Sequence, residues 1–227
     1  MVLWRSFPVV LLLGFFAAPA AFGQAKNSPI AFANEEAITT TFVEAPTVDS
    51  GDATASNAGS SAEPAKWLKV EFHYGTTPLV TDDYPYVDEI QFKVWIEGID
   101  RFAKNPNTPT GKGVAIALTG SVTYINVPSG KDIYGVFFVP PSVLARYSSD
   151  KGYTDFDRKF NVHVEALIGG NEMDHFDKNK DPAGPDWYTE KSLKPITGLV
   201  YRQDQCPFMM SDPDRYPIIK PPAPAAQ

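Results

Sequence analysis

Oxygen-bearing side chains alternate along one charged segment of the sequence, at Asp177, Asn179 and Asp181. Calcium loops use this spacing because alternate side chains converge on one ion. The match then ends, since Pro182 stands where the sharp turn needs a glycine and Tyr188 stands where a bidentate glutamate belongs. Two interpretations stay open: a different calcium cage completed by Asp174 and Asp186, or a solvated charged loop.

Three histidines are the candidate zinc ligands: His73, His163 and His175. They have neither His-x-x-x-His spacing nor a neighbouring cysteine, which are common features of zinc sites. His73 and His163 fall on the polar faces of predicted strands. The sequence therefore favours ordinary surface histidines, and we expect no metal and no other cofactor.

The sequence contains no recognisable reaction centre. Asp155 and Asp157 flank Phe156 like a carboxylate pair, but glycosidases bring their two acids together from separated elements. Gly-x-Ser-x-Gly and a glycine-rich phosphate loop are absent, and Cys206 precedes a proline with no histidine nearby. We therefore predict no catalytic residues and a protein that is not an enzyme.

Trp95 and Trp67 are candidates for a binding surface, because an aromatic ring on a sheet face stacks on a sugar ring or anchors a partner. The residue pattern directs Trp95 away from the predicted core. The competing interpretation, which we favour, is that Trp95 packs on the second sheet or beneath a loop, because exposed apolar patches are uncommon in monomers.

The predicted element that positions these residues is a central strand, Asp88–Gly98. One face carries apolar residues at every second position: Ile90, Phe92, Val94 and Ile96. The other face carries Gln91, Lys93, Trp95 and Glu97. One side is thus expected to lie on a core, and the other to meet water or a partner.

Further strands are predicted over Trp67–Gly75, Val114–Val127, Asp132–Val139, Phe160–Gly169 and Ile196–Tyr201. Gly120 indicates a bulge, a bend or a division into two strands. Asp132–Val139 is apolar on both faces, as in a strand lying under a covering segment. A brief helical turn follows Pro140-Pro141. The predicted fold class is all-β, an immunoglobulin-like antiparallel β-sandwich with short helical turns, and a closed barrel is the alternative.

Composition divides the chain into a signal peptide over 1–23, a disordered leader and linker over 24–65, a β-sandwich domain over 66–205 and a proline-rich tail over 206–227. The first part has an apolar run too short to span a membrane, followed by small residues before Gln24. Ala37–Ala45 either adds a strand to a sheet, its own or another molecule's, or is a β-prone patch in the leader. The tail is expected to be extended and solvated.

The net charge and the cysteine content limit the classes of molecule that the protein is expected to bind. The sequence has 20 basic and 27 acidic side chains, a net charge of −7, and removal of Arg5 with the signal peptide makes it −8. This balance disfavours nucleic acid and charge-driven membrane binding. The single cysteine, Cys206, has no internal partner, so it is either buried, which we favour, or paired with another chain.

Three segments, WLKVEFHYG, YVDEIQFKVWIEG and VTYINVPSGKDIYGVFFVPPSVLARY, resemble the pilus-like, immunoglobulin-fold family of exported bacterial proteins encoded beside type IV pilus genes. The resemblance covers roughly Lys66 to Val200 and implies a sandwich similar to pilus subunits, with no catalytic residues to carry over. A type IV pilin keeps a hydrophobic N-terminal segment that contains a glutamate. Because Met1–Gly23 contains no acid, the resemblance implies an accessory or surface protein instead of the major fibre subunit.

Three hypotheses of function follow. The first is a non-enzymatic exported protein that contacts other envelope or pilus-associated proteins in the periplasm, at the outer membrane or on the cell surface, with no membrane insertion after cleavage and an oligomeric state that the sequence does not specify. The second is a secreted module that binds carbohydrate or another ligand through Trp95. The third is a hydrolase, which requires an acid pair or a nucleophile and base meeting in a pocket.

Overall fold

The computed structural model describes residues 28–33, 36–46, 66–77, 85–104, 112–147, 161–178, 187–189 and 193–222. The strands within these ranges are β1 (Ile30–Phe32), β2 (Ile38–Glu44), β3 (Lys66–Thr76), β4 (Tyr86–Lys104), β5 (Lys112–Pro128), β6 (Gly130–Val139), β7 (Val162–Ile168), β8 (Asn171–Lys178), β9 (Lys194–Thr197) and β10 (Ile218–Ile219). The helical elements in the same ranges are α1 (Pro141–Tyr147) and three 3-10 helices, Trp187–Thr189, Gln203–Gln205 and Pro207–Met210.

The smaller sheet is built around β3. Strands β1 and β2 lie end to end along one edge of β3, and β6 lies along the other edge, all antiparallel to it. The pairing of β3 with β6 places Leu68 opposite Val139 and Phe72 opposite Gly135. The ring of Phe72 fills the space beside Gly135, where a Cβ atom would lie 2.0 Å from the Cζ atom of Phe72. Only glycine therefore fits at this position.

The larger sheet has the order β8, β7, β4, β5. The short strands β9 and β10 pair with different parts of β5, β9 with residues 116–119 and β10 with residues 124–125. All of these pairs are antiparallel except β5 with β9, which is parallel. The all-β sandwich predicted from the sequence is confirmed, with this parallel strand as a local departure. The predicted last strand, Ile196–Tyr201, is instead β9 followed by a backbone bridge between Tyr201 and Phe138 of β6.

The central predicted strand and its buried face are confirmed. Strand β4 includes Asp88–Gly98, and the side chains of Ile90, Phe92, Val94 and Ile96 are each 0% exposed. Their partners come from the smaller sheet. The ring of Phe92, for example, lies 4.6 Å from that of Phe72 between centroids. Burial of these two alternating faces is the main force that holds the layers together.

Gly120 does not mark a break in β5. The strand runs without interruption from Lys112 to Pro128, and Gly120 pairs in register with Val94. A Cβ on Gly120 would lie 2.9 Å from the Cβ of Val200. The glycine is therefore required by the close approach of the segment that follows β9, and not by a bend.

The stretch predicted as a disordered leader and linker contains two strands of the smaller sheet. Ile30 and Ile38 are buried in the core, so the domain begins before Lys66. The backbone N–H of Phe32 donates to Asp174 on β8 at 2.8 Å, and the Lys178 amine donates to Thr40 at 2.8 Å. These bonds join β1 and β2 to the edge strand of the larger sheet, which explains why a short and weakly apolar segment is ordered.

The part of the predicted tail that the structure describes is also packed against the domain. The ring of Phe208 stacks on that of Phe138 with centroids 4.5 Å apart, and β10 pairs with β5. This segment covers the outer apolar face of β6, whereas the other face contacts the core through Phe137 and Phe72. Cys206 is half-buried in it, its thiol donates to the carbonyl of Gln203 at 3.3 Å, and burial raises the pKa of this thiol to about 11.

Several sequence predictions lie outside the described residues: the signal peptide, the linker Asp49–Glu63, and the side chains of Asp155, Asp157, Asn179, Asp181 and Asp186. Within the described ranges, none of the helices is both long and apolar enough to cross a membrane.

Candidate functional site on the outer face of the larger sheet

Three candidate residues from separate parts of the sequence lie in one row across the larger sheet. Trp95 on β4 is directly opposite His163 on β7, and His163 is directly opposite Asp177 on β8. Directly opposite residues of neighbouring strands share a face with Cβ atoms about 5 Å apart. Antiparallel register thus brings together side chains that were considered singly as a ligand platform, a zinc ligand and a calcium ligand.

His163 is buried, which corrects its prediction as a surface histidine. Its side chain is 0% exposed, its Nδ1 lies 2.8 Å from Asp177 Oδ1, and its Nε2 lies 3.4 Å from Glu165 Oε1. Burial alone would lower the pKa of the imidazole, but the bonds to Asp177 and Glu165 outweigh it and raise the pKa above its ordinary value. With carboxylates at both nitrogens, the arrangement favours an imidazolium ion.

Tyr188 accounts for this burial. It belongs to the 3-10 helix Trp187–Thr189, and its ring stacks on His163 with centroids 3.5 Å apart and planes 13° apart. The neighbouring Trp187 is itself buried and fixes the helix on the sheet. Alternation within β7 carries no information about the element that covers its polar face.

The structure does not gather the three histidines around a metal. The His175 ring lies 5.6 Å from that of His163 between centroids, whereas His73 is on the smaller sheet, stacked on Tyr134. Asp177 is engaged by His163, and Asp174 accepts from the backbone of β1. Among the described residues, no group of three His, Cys, Asp or Glu side chains has the geometry to hold a metal ion.

Trp95 is half-buried, in contact with the His163 and Tyr188 rings at centroid distances of 5.3 and 5.4 Å. It also lines a groove on the β5 side, which we call the Trp95 groove. The groove has a volume of about 510 Å³. Its principal lining residues are Lys93, Trp95, Thr119, Ser121, Thr197 and Val200. Trp95 therefore has both roles considered from the sequence, packing beneath a covering element and facing a groove.

A second surface lies where β4 extends beyond its pairing with β7. The register with β7 ends at Ile96, whereas pairing with β5 continues to Lys104. We call residues 98–104 and 112–114 the hairpin end. Phe102 on this hairpin end is 76% exposed, and Ile99 is also exposed. The Arg101 guanidinium donates to the carbonyl of Ala145, which ties the hairpin end to α1.

The outer face of the smaller sheet is occupied by the chain itself. Glu71 accepts hydrogen bonds from Arg215 at 2.8 and 3.0 Å and from the Tyr216 hydroxyl at 2.6 Å, and it pairs with Lys69 at 2.9 Å. Burial alone would raise the pKa of Glu71, but these donors hold it at about 2. This cluster anchors the C-terminal segment and is structural.

This chain is similar to known proteins in both sequence and fold. The model of a pilus-related protein family matches residues 30–223, which include all the described strands. A protein from Akkermansia muciniphila with a crystal structure has the same fold, with a TM-score of 0.60 and 19% sequence identity over 85% of this chain and 93% of its own. No curated protein sequence matches this chain.

Proposed function

This chain belongs to a pilus-related protein family, and from that premise we propose that it is an exported, non-enzymatic accessory or surface protein that works through protein contacts at the cell envelope. Within that role its partners are other envelope or pilus-associated proteins. The finer assignment that we propose is to the immunoglobulin-like proteins encoded beside type IV pilus genes, as an accessory component and not as the fibre subunit.

The observation that carries this proposal beyond family membership is the exposure of Phe102. A phenylalanine that keeps 76% of its surface in water contributes nothing to its own core. Aromatic residues and arginine are enriched at the centres of protein interfaces, and the depression beside Phe102 is lined by Ser142, Ala145 and Arg146. The hairpin end thus offers an aromatic anchor next to a guanidinium group.

Electrostatics supports a protein partner. The net charge of −7 opposes association with phosphate backbones and anionic lipid headgroups. Arg146 also lies 3.6 Å from Asp100, so charge of both signs borders the apolar anchor. A mixed rim around an apolar centre is typical of protein interfaces.

Site-specific photo-crosslinking tests the proposal. Benzoylphenylalanine is placed at Phe102 in the full-length chain, in cells that produce it naturally, and crosslinked products are identified by mass spectrometry. The control places the same group at Met210, which is 82% exposed on the opposite layer. We expect a pilus or secretion component to crosslink at Phe102 and not at Met210. Crosslinks to no such component, or equally at both positions, would overturn the proposal.

A further inference from the structure

We propose that the Trp95 groove binds a short saccharide chain, with the indole as the stacking surface and a row of hydroxyl groups as the polar partners. This site is separate from the hairpin end, and it does not depend on the protein contacts proposed there.

The sheet register places the required groups side by side. Trp95 is opposite Thr119 across β4 and β5, and Thr119 is opposite Thr197 across β5 and β9. One row along, Lys93 is opposite Ser121. All five line the groove, so an aromatic ring, three hydroxyl groups and one ammonium group face the same space.

The far wall of the groove is fixed by backbone packing. Gly198 has φ +79° and turns the chain after β9, and Val200 then packs on the core-facing side of Gly120 so closely that no side chain fits between them. The parallel pairing of β9 with β5 holds Pro195 and Thr197 in place. Strand β9 is therefore a fixed wall of the groove opposite Trp95, and the buried Val200 holds the chain that follows it.

Trp95 is oriented in advance by its neighbours on the other side. The rings of His163 and Tyr188 contact it, and His163 is held by Asp177 and Glu165. A side chain that is already in its binding rotamer loses little conformational entropy when a ligand arrives. The buried cluster thus functions as the support of a binding surface.

The chemistry of the lining favours a saccharide over an apolar segment. The C–H faces of a pyranose ring pack on an aromatic plane, while its hydroxyls both donate and accept, as Ser and Thr hydroxyls do. The Thr119 hydroxyl donates to the carbonyl of Ile196 at 3.4 Å and can still accept a bond from a ligand. An apolar peptide in the same groove would cover the Ser121 and Thr197 hydroxyls and the Lys93 amine without giving them partners, which carries a desolvation cost. The volume of about 510 Å³ lies in the usual range for small-molecule sites.

Isothermal titration of the full chain with four defined probes tests the inference: chitotetraose, maltotetraose, tetragalacturonic acid and sialyllactose. We expect saturable binding of at least one probe and quenching of tryptophan fluorescence. The variants Trp95→Ala and Thr119→Val should each weaken that binding about tenfold or more, the loss expected for an anchoring contact. Trp95→Phe should retain part of the affinity because it preserves a stacking face.

Thr41→Val is the matched control, since Thr41 is an exposed strand threonine on the smaller sheet and should leave affinity unchanged. Thr119→Val keeps the inference testable if Trp95→Ala does not fold. Binding of none of the four probes, or binding that survives both substitutions at the groove, would overturn it. Binding of an apolar peptide in preference to every saccharide would overturn it as well.

Discussion

The Tyr188 ring lies flat over the imidazole of His163, 3.5 Å away between centroids, while Asp177 holds Nδ1 of the same ring at 2.8 Å. A titratable group is therefore enclosed between an aromatic cover and a carboxylate. Glu165 on β7 and His175 on β8 are the other titratable groups that face it. Because this cluster supports Trp95, we expect the protonation state of His163 to affect the Trp95 groove.

Protonated His163 should stabilise the fold in acidic and near-neutral solution. Its folded-state pKa is raised above the ordinary value of about 6.5, so the stabilisation is complete below about pH 6.5 and is lost as pH rises through the folded-state pKa. We expect NMR titration to give an imidazole pKa above the ordinary value, and unfolding midpoints to fall with rising pH. His163→Gln should abolish this dependence and His73→Gln should keep it, whereas titration at or below the ordinary value would contradict the assignment.

Removing the charge of Glu71 should destabilise the protein by about 2 kcal/mol near neutral pH, because hydrogen bonds to a charged group are lost. Its folded-state pKa of about 2 lies below the ordinary 4.5, so the contribution is present above about pH 4.5 and is lost as pH falls toward 2. Denaturant unfolding of Glu71→Gln should therefore differ from wild type at neutral pH and converge with it in acid. Glu44→Gln, at an exposed position of β2, is the control. Equal effects of the two substitutions would argue against an anchoring role.

Gly135→Ala should cost about 3 kcal/mol or more, the upper range for overpacking a core, because the new methyl group would coincide with the Phe72 ring. The expected result is a lower denaturant midpoint or failure to fold. Gly130→Ala, made where no atom lies within 4 Å of the added carbon, should change stability by less than about 0.5 kcal/mol. A Gly135→Ala protein as stable as the Gly130→Ala protein would show that Phe72 does not occupy this position.

Phe208→Ala should destabilise the fold by about 3 to 5 kcal/mol, since the ring is buried against Phe138 and Trp67. Met210→Ala, in the same 3-10 helix but exposed to water, should have little effect. Thermal unfolding of both variants measures the contrast. A loss of stability that is no larger for Phe208→Ala would mean that the C-terminal segment is not part of the core.

Alternation of residue types was sufficient to locate β3 to β7 approximately and to identify the core face of β4. It was insufficient wherever order depends on distant contacts. β1 has only three residues, and for Ala37–Ala45 the sequence left a strand and a β-prone patch as alternatives. Pairing with β3 and bonds to β8 order both segments, and the second of them is the strand β2 of the protein's own sheet. The C-terminal segment is rich in proline, and its packing rests on a few well-placed rings such as Phe208.

The candidate site could also be predicted only in part from the sequence. Trp95, His163 and Asp177 were each identifiable as residues with chemical potential, but their meeting in one row is a consequence of strand register. The burial of His163 depends on Tyr188, whose position over β7 has no local signature. Gly120 indicated a special backbone position, but its cause, the approach of Val200, comes from a remote part of the chain.

Glu71 is bonded to a residue 144 positions further along the chain. During synthesis, that partner leaves the ribosome long after the strand that carries Glu71, and closure over such a separation is slow. A chain that is threaded through a secretion channel from its N-terminus would therefore cross most of the way before its outer layer closes. Under the export proposed above, late closure of this kind would leave the final step of folding to the far side of the membrane.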